Sequence, residues 1–110
     1  MTNILKKIIE DKKEILKVIK KNNTLDSLEN KIKNLNFYLN FKETIIQQKG
    51  VSLICEIKKA SPSAGILVKD FNHLNIAKMY VKNGATCLSV LTEEKYFLGK
   101  LSFILDIKNK

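Results

Sequence analysis

The chain has 110 residues, of which 45% are apolar and 28% are charged. This excludes a disordered tail, a collagen-like repeat and a membrane bundle, since no apolar run approaches the roughly 20 residues that cross a bilayer. All 20 basic residues are lysines spread along the chain, with a net charge of +9. Because nucleic-acid binders rely on arginine for bidentate contacts, we expect no nucleic-acid partner and interpret the lysines as a solvated surface that attracts anionic metabolites.

The first part of the chain is predicted to be helical. Apolar residues at helical spacing predict a first helix over residues 2–22. Thr24 is a typical cap for a second helix, in which the apolar spacing continues to Leu39, and a third helical stretch over residues 41–48 is ended by Gly50. Acidic residues among the lysines of the first helix exclude a secretory signal and a transit peptide. Without aromatic anchors, this helix is expected to pack on a protein core, so no membrane partner is predicted.

The pattern changes at Val51, where short apolar runs begin to alternate with a helical segment. In order, the predicted elements are a strand at residues 51–57, a loop at 58–65 with the only proline, a helix capped by Asn72 that ends near Asn83, a strand at 86–91, a loop at 92–99 and a further helix from Leu101. This succession predicts a βαβ unit with parallel strands. The two cysteines, Cys55 and Cys87, lie in the strands without metal-ligand or redox spacing, which indicates a reduced, cytoplasmic compartment.

Two charged residues lie at the end of the first predicted strand. Strand alternation puts Glu56 and Lys58 on one face, at the carboxyl end that faces the ligand crevice in α/β folds. Charges are rare on a buried strand face unless they are paired or take part in chemistry. The pattern therefore leaves two interpretations open: a structural ion pair or strand end in solvent, and an acid–base pair that acts on a ligand.

Other candidate features are weaker. His73, the only histidine, is predicted to be a solvent-exposed residue of a first helical turn. The loop around Pro62 lacks the glycine spacing of nucleotide-binding loops, and no metal-ligand constellation is present. Phe97, in the loop after the second strand, either packs on the rim of the fold or offers its ring to an aromatic substrate.

One continuous segment resembles a known enzyme family. The run Glu56-Ile57-Lys58-Lys59-Ala60-Ser61-Pro62-Ser63-Ala64-Gly65 closely resembles the first-strand signature of indole-3-glycerol-phosphate synthases, and Leu88-Ser89-Val90-Leu91-Thr92-Glu93 followed by Glu94-Lys95-Tyr96-Phe97-Leu98-Gly99 resembles their second strand and loop. The resemblance extends over residues 51–105. It implies a (β/α)₈ barrel enzyme of tryptophan biosynthesis that closes the ring of 1-(2-carboxyphenylamino)-1-deoxyribulose 5-phosphate, with loss of carbon dioxide and water. It also implies that neither a metal nor an organic cofactor takes part.

The same resemblance implies roles for four residues. Glu56 would take part in proton transfer and orient the lysines, and Lys58 would hold the anionic, phosphorylated substrate and supply a proton during dehydration. Ser61 would contribute to the substrate site, and Phe97 would pack against the aromatic ring of the substrate.

The expected fold is α/β and incomplete. A barrel of this type needs about 250 residues, so residues 1–50 are interpreted as a helical extension and residues 51–110 as the first two βα units of a TIM barrel. Because the third-strand lysine and the phosphate site of the family are absent, we expect a truncated synthase that is inactive alone, with the missing remainder of the barrel as a partner. Two alternatives remain open: a non-catalytic remnant of a disrupted gene, and a lysine-rich helical binding module.

Overall fold

The computed structural model describes residues 3–110, which form two compact units, one ending at Leu39 and the other spanning Asn40–Lys110. The first unit contains helices α1 (Ile4–Asn22) and α2 (Leu25–Lys33). The second contains, in order, α3 (Phe41–Gln47), β1 (Ile54–Ile57), β2 (Ala60–Ser61), β3 (Gly65–Ile66), α4 (His73–Lys82), β4 (Cys87–Val90) and α5 (Ser102–Lys108). Among residues 3–110, none of the helices combines the length and the apolar character needed to cross a membrane.

The second helix confirms its predicted cap, but its predicted end is wrong. α1 is capped by the Asn3 side chain, and the predicted start at residue 2 lies outside the described residues. The Thr24 hydroxyl accepts a hydrogen bond from the Ser27 backbone N–H (3.2 Å), which confirms it as the cap of α2. The predicted continuation of α2 to Leu39 is wrong, because the helix ends at Lys33. Asparagines recur in the segment that follows, and their side chains compete with the backbone for helical hydrogen bonds.

The third helix belongs to the second compact unit. α3 begins after Asn40, whose side chain accepts from the Glu43 N–H (3.1 Å). The Ser52 hydroxyl donates to the Ile45 carbonyl (3.2 Å), and α3 also contacts β4. The compact units therefore divide ahead of residue 50, while the assignment of residues 1–50 to an extension and of 51–110 to a barrel stays a prediction.

The predicted βαβ unit is confirmed. β1 pairs with β4 in parallel, and α4 is the helix between them. The strands are shorter than predicted, but Thr86 and Leu91 continue the ladder by donating to the carbonyl groups of Leu53 (2.9 Å) and Ile57 (3.1 Å). The Asn72 side chain caps α4, and Gly84 follows that helix at φ +94°, a conformation that suits glycine.

The core of the second unit lies on one face of this parallel pair. Its buried apolar residues are Ile57, Ala60, Ala77 and Phe103, and Ile57 is only 1% exposed. α4 packs against β1, and the Tyr80 hydroxyl donates to the Glu56 carbonyl (3.0 Å). Ile54, which alternates onto the face opposite Ile57, is 55% exposed. One face of the sheet is thus covered by helices while the other is open.

His73 differs from its prediction. Its Nε2 atom lies 2.8 Å from Asp106 Oδ2, and its ring stacks on Phe103 with the centroids 4.2 Å apart. The side chain is only 19% exposed, so the prediction of a solvent-exposed residue is wrong. The reason is the packing of α5 against α4, which brings Phe103 and Asp106 over the first turn of α4.

Candidate functional site

The loops that follow the two parallel strands meet at one edge of the sheet. Because β1 and β4 are parallel, with Glu56 paired to Ser89 and Ile57 to Val90, both strands end at the same edge. The loops that follow them enclose a hollow of about 310 Å³, lined by Lys59, Glu94, Leu98, Gly99 and Lys100. In parallel α/β folds this is the edge at which ligands bind.

The structure brings Glu56 and Lys58 together at this edge. Lys58 Nζ lies 2.9 Å from Glu56 Oε1, and the side chains are 34% and 48% exposed, respectively. An ion pair with this exposure contributes only about 0–1 kcal/mol to stability. Both charges also remain accessible to a ligand that enters from the open side of the sheet. The geometry is compatible with both interpretations left open above, but a purely structural role would give the fold little.

Ser61 lies in a short hairpin where the sequence predicted a loop. Within the predicted loop at residues 58–65, β2 and β3 form a short antiparallel hairpin in which Ser61 pairs with Gly65. The Ser61 hydroxyl accepts from the Ala64 N–H (3.2 Å) and lies 3.5 Å from the Ser63 hydroxyl. Ser61 is half-buried, and its hydroxyl bonds to Ala64 and Ser63 lie within its own turn. The hairpin fixes the backbone of Ser61 four residues beyond Ile57, where β1 ends.

Phe97 lies in a turn organised by Glu93. Glu93 Oε2 accepts from the backbone N–H groups of Tyr96 (2.6 Å) and Phe97 (3.1 Å), while Oε1 accepts from that of Lys95 (3.1 Å). The Glu93 carbonyl also accepts from the Gly99 N–H (2.8 Å). Phe97 is half-buried. Glu93 lies in the predicted loop at residues 92–99, and an acceptor side chain just ahead of a turn is a recognisable capping signal.

The end of this turn packs closely on the end of β4. Leu98 adopts φ +52°, an uncommon conformation for a residue with a side chain. Gly99 is buried, and a Cβ atom added there would lie in contact with the Leu91 carbonyl oxygen and 2.8 Å from its carbon. The close approach therefore requires glycine at residue 99.

Potential metal ligands and thiols are dispersed. In residues 3–110, no group of three or more His, Cys, Asp or Glu side chains could hold a metal ion. Cys55 and Cys87 are both free. Since Cys55 pairs with Leu88 and Cys87 with Ile54, the two cysteines lie on opposite faces of the sheet.

Comparisons with known proteins point to one family. The family model described as indole-3-glycerol phosphate synthase matches residues 5–110. A protein of that name from Desulforamulus reducens is 43% identical over 107 residues, which cover 97% of this chain and 40% of the relative. One from Aliarcobacter butzleri is 43% identical over 109 residues, covering 96% of this chain and 41% of the relative. The tryptophan biosynthesis protein TrpCF of Buchnera aphidicola is 46% identical over 109 residues, covering 97% and 23%. The chain thus spans about 40% of the length of the first two relatives.

Proposed function

The chain belongs to the indole-3-glycerol phosphate synthase family, and we propose that it supplies the amino-terminal part of such a synthase. In this proposal, residues 1–50 are a helical extension and residues 51–110 are the first two βα units of a (β/α)₈ barrel. The observation that carries the proposal is the Glu56–Lys58 pair, 2.9 Å apart, at the carboxyl end of β1. Active sites of such barrels lie at that end of the strands.

The proposed reaction suits this pair chemically. The substrate, 1-(2-carboxyphenylamino)-1-deoxyribulose 5-phosphate, carries a carboxylate and a phosphate, and both favour a cation at the site. A carbon–carbon bond closes the new ring, carbon dioxide leaves from the ring carbon, and a hydroxyl group departs as water. Lys58 holds the anionic substrate and donates a proton to the departing hydroxyl group. Glu56 orients the Lys58 ammonium group and takes part in proton transfer.

Two further residues complete the proposed site in this part of the chain. Phe97 packs its ring against the carboxyphenyl ring of the substrate, a contact that buries a large apolar area in a defined geometry. Ser61 contributes to the substrate site from the hairpin after β1. The partner of the site is the phosphorylated substrate. The proposed location is the cytoplasm, which the two free thiols support.

The remainder of a barrel is the other partner that we propose. In residues 3–110, β1 and β4 form a sheet of two strands, so each has a neighbour on one side only. Ile54, which lies on the open face of the sheet, is 55% exposed. Unpaired edges and exposed apolar strand residues favour further pairing. Six more strands would close the barrel and complete the catalytic residues.

A chimeric synthase tests the proposal. In it, this chain replaces the matching segment of the Desulforamulus reducens relative, which supplies the rest of the barrel. We expect the purified chimera to convert the substrate into indole-3-glycerol phosphate. The rate of conversion is measured by the fluorescence of the indole product. The 110 residues assayed alone should give no turnover above a Lys58→Ala control, because they hold two of the eight strands.

The control uses the same junction with the matching segment of the Aliarcobacter butzleri relative. If that control chimera is active while the chimera with this chain folds but remains inactive, the proposed function is wrong. Folding is judged by far-ultraviolet circular dichroism and by a cooperative thermal transition. Such a result would favour the remnant hypothesis, in which the family signature persists without activity.

A further inference from the structure

The Glu93 side chain holds the first part of the turn at residues 93–99. The Glu93 carboxylate accepts three consecutive backbone N–H groups, those of Lys95, Tyr96 and Phe97, at 2.6–3.1 Å. Hydrogen bonds to a charged acceptor are stronger than neutral ones, and the bond from Tyr96 lies at the short end of their range. The backbone at Phe97 is therefore fixed by Glu93 from four residues earlier in the chain.

The far end of the turn is fixed as well. The Gly99 N–H donates to the Glu93 carbonyl (2.8 Å), and Gly99 is buried against the carbonyl group of Leu91. Between these two points the backbone turns through Leu98 at φ +52°. A conformation that is unfavourable for leucine persists only where its surroundings hold it in place. The turn is therefore a rigid support, and Phe97 lies directly before its strained residue.

We propose that Glu93 is a positioning residue, which places the Phe97 ring against the aromatic ring of the substrate by holding the backbone of residues 95–97. The proposal rests on the proposed function, because it gives the Phe97 ring a substrate to contact. The Glu93 carboxylate oxygens accept hydrogen bonds from the backbone of its own turn, so the role proposed for Glu93 is to hold that backbone. We expect its effect on catalysis to pass through Phe97.

The proposal predicts a particular kinetic signature. A ring contact made equally in the ground state and in the transition state affects KM and leaves kcat nearly unchanged. In the chimera, Glu93→Gln replaces one acceptor oxygen by an amide group that cannot accept, so the turn loosens. We expect KM to rise about tenfold, because a displacement of about 1 Å weakens a positioned contact. The value of kcat should change by less than about twofold. Glu93→Asp keeps a carboxylate, so its KM should lie much closer to the parent value than that of Glu93→Gln.

Two comparisons separate positioning from a general structural effect. In a chimera that already carries Phe97→Ala, the Glu93→Gln substitution should raise KM no further. Glu29→Gln, which removes one exposed carboxylate from α2, is the charge-matched control and should leave KM unchanged. An unchanged KM in Glu93→Gln, or the same rise with and without the Phe97 ring, would overturn the proposal.

Hydrogen exchange gives a second readout that needs no turnover. In the 110-residue chain, Glu93→Gln should speed exchange at the amides of residues 95–97 by about tenfold or more, with the amides of α4 unaffected. Unchanged exchange would overturn the positioning role whatever the kinetics show. A wild-type chimera without turnover, combined with faster exchange in Glu93→Gln, would overturn the proposed function and the ring contact with it. The two failures can thus be told apart.

Discussion

Lys58→Ala in the chimeric synthase should lower kcat/KM by about 10²-fold or more. The substitution removes the only cation that pairs with Glu56 in the described residues, Nζ to Oε1 at 2.9 Å. The proposed reaction needs that cation twice, for holding the anionic substrate and for donating a proton to the departing hydroxyl group. Loss of a positioned acid typically costs 10²–10⁴-fold. Steady-state kinetics of the purified chimera, followed by indole fluorescence, measures the effect.

The matched control for this substitution is Lys69→Ala. Lys69 is exposed in the segment between β3 and α4, so its loss removes the same charge from the molecule. We expect kcat/KM of that variant to stay within about twofold of the parent value, because an exposed charge at that position exerts only a screened, long-range effect. If Lys58→Ala and Lys69→Ala lower kcat/KM by similar small factors, Lys58 has no role in the reaction.

Gly99→Ala should lower the free energy of unfolding of the chimera by about 2–3 kcal/mol. Gly99 is buried, and an added Cβ would meet the carbonyl group of Leu91 at the end of β4. Because the obstructing atoms are backbone, the strand end or the turn must move. The measurement is urea unfolding followed by circular dichroism, supported by the shift in melting temperature.

Gly50→Ala provides the comparison, because Gly50 has φ +81° but open space around it. Its substitution introduces only the conformational cost of a left-handed residue, about 1–2 kcal/mol. Gly99→Ala should therefore destabilise the chimera more than Gly50→Ala does. Equal or reversed effects would contradict the close packing of the turn against β4.

Features encoded by neighbouring residues could be predicted from the sequence. The caps at Thr24 and Asn72, the turn at Gly84 and the parallel pairing of β1 with β4 all follow from local residue types and hydrophobic periodicity. The shared face of Glu56 and Lys58 follows from strand alternation in the same way. These features can be predicted without knowing the tertiary contacts of the residues involved.

Features that depend on tertiary contacts could not be predicted in this way. His73 is half-buried because α5 brings Asp106 and Phe103 into contact with it from distant positions in the chain. The end of α2 at Lys33 was missed because apolar spacing continues past the point where helical hydrogen bonding stops. The turn at Glu93 is different, because its bonds reach only residues 95–97 and its capping signal lies in the local sequence.

The proposed function requires that the Glu56–Lys58 pair acts on substrate and is not merely a structural ion pair. Glu56→Gln in the chimera tests it most directly, with melting temperature and turnover per folded molecule measured on the same samples. Because the pair is partly exposed, it contributes only about 0–1 kcal/mol to stability. The account predicts a melting temperature within a few degrees of the parent value and at least about a tenfold lower kcat. A clear fall in melting temperature with normalised turnover unchanged would contradict it.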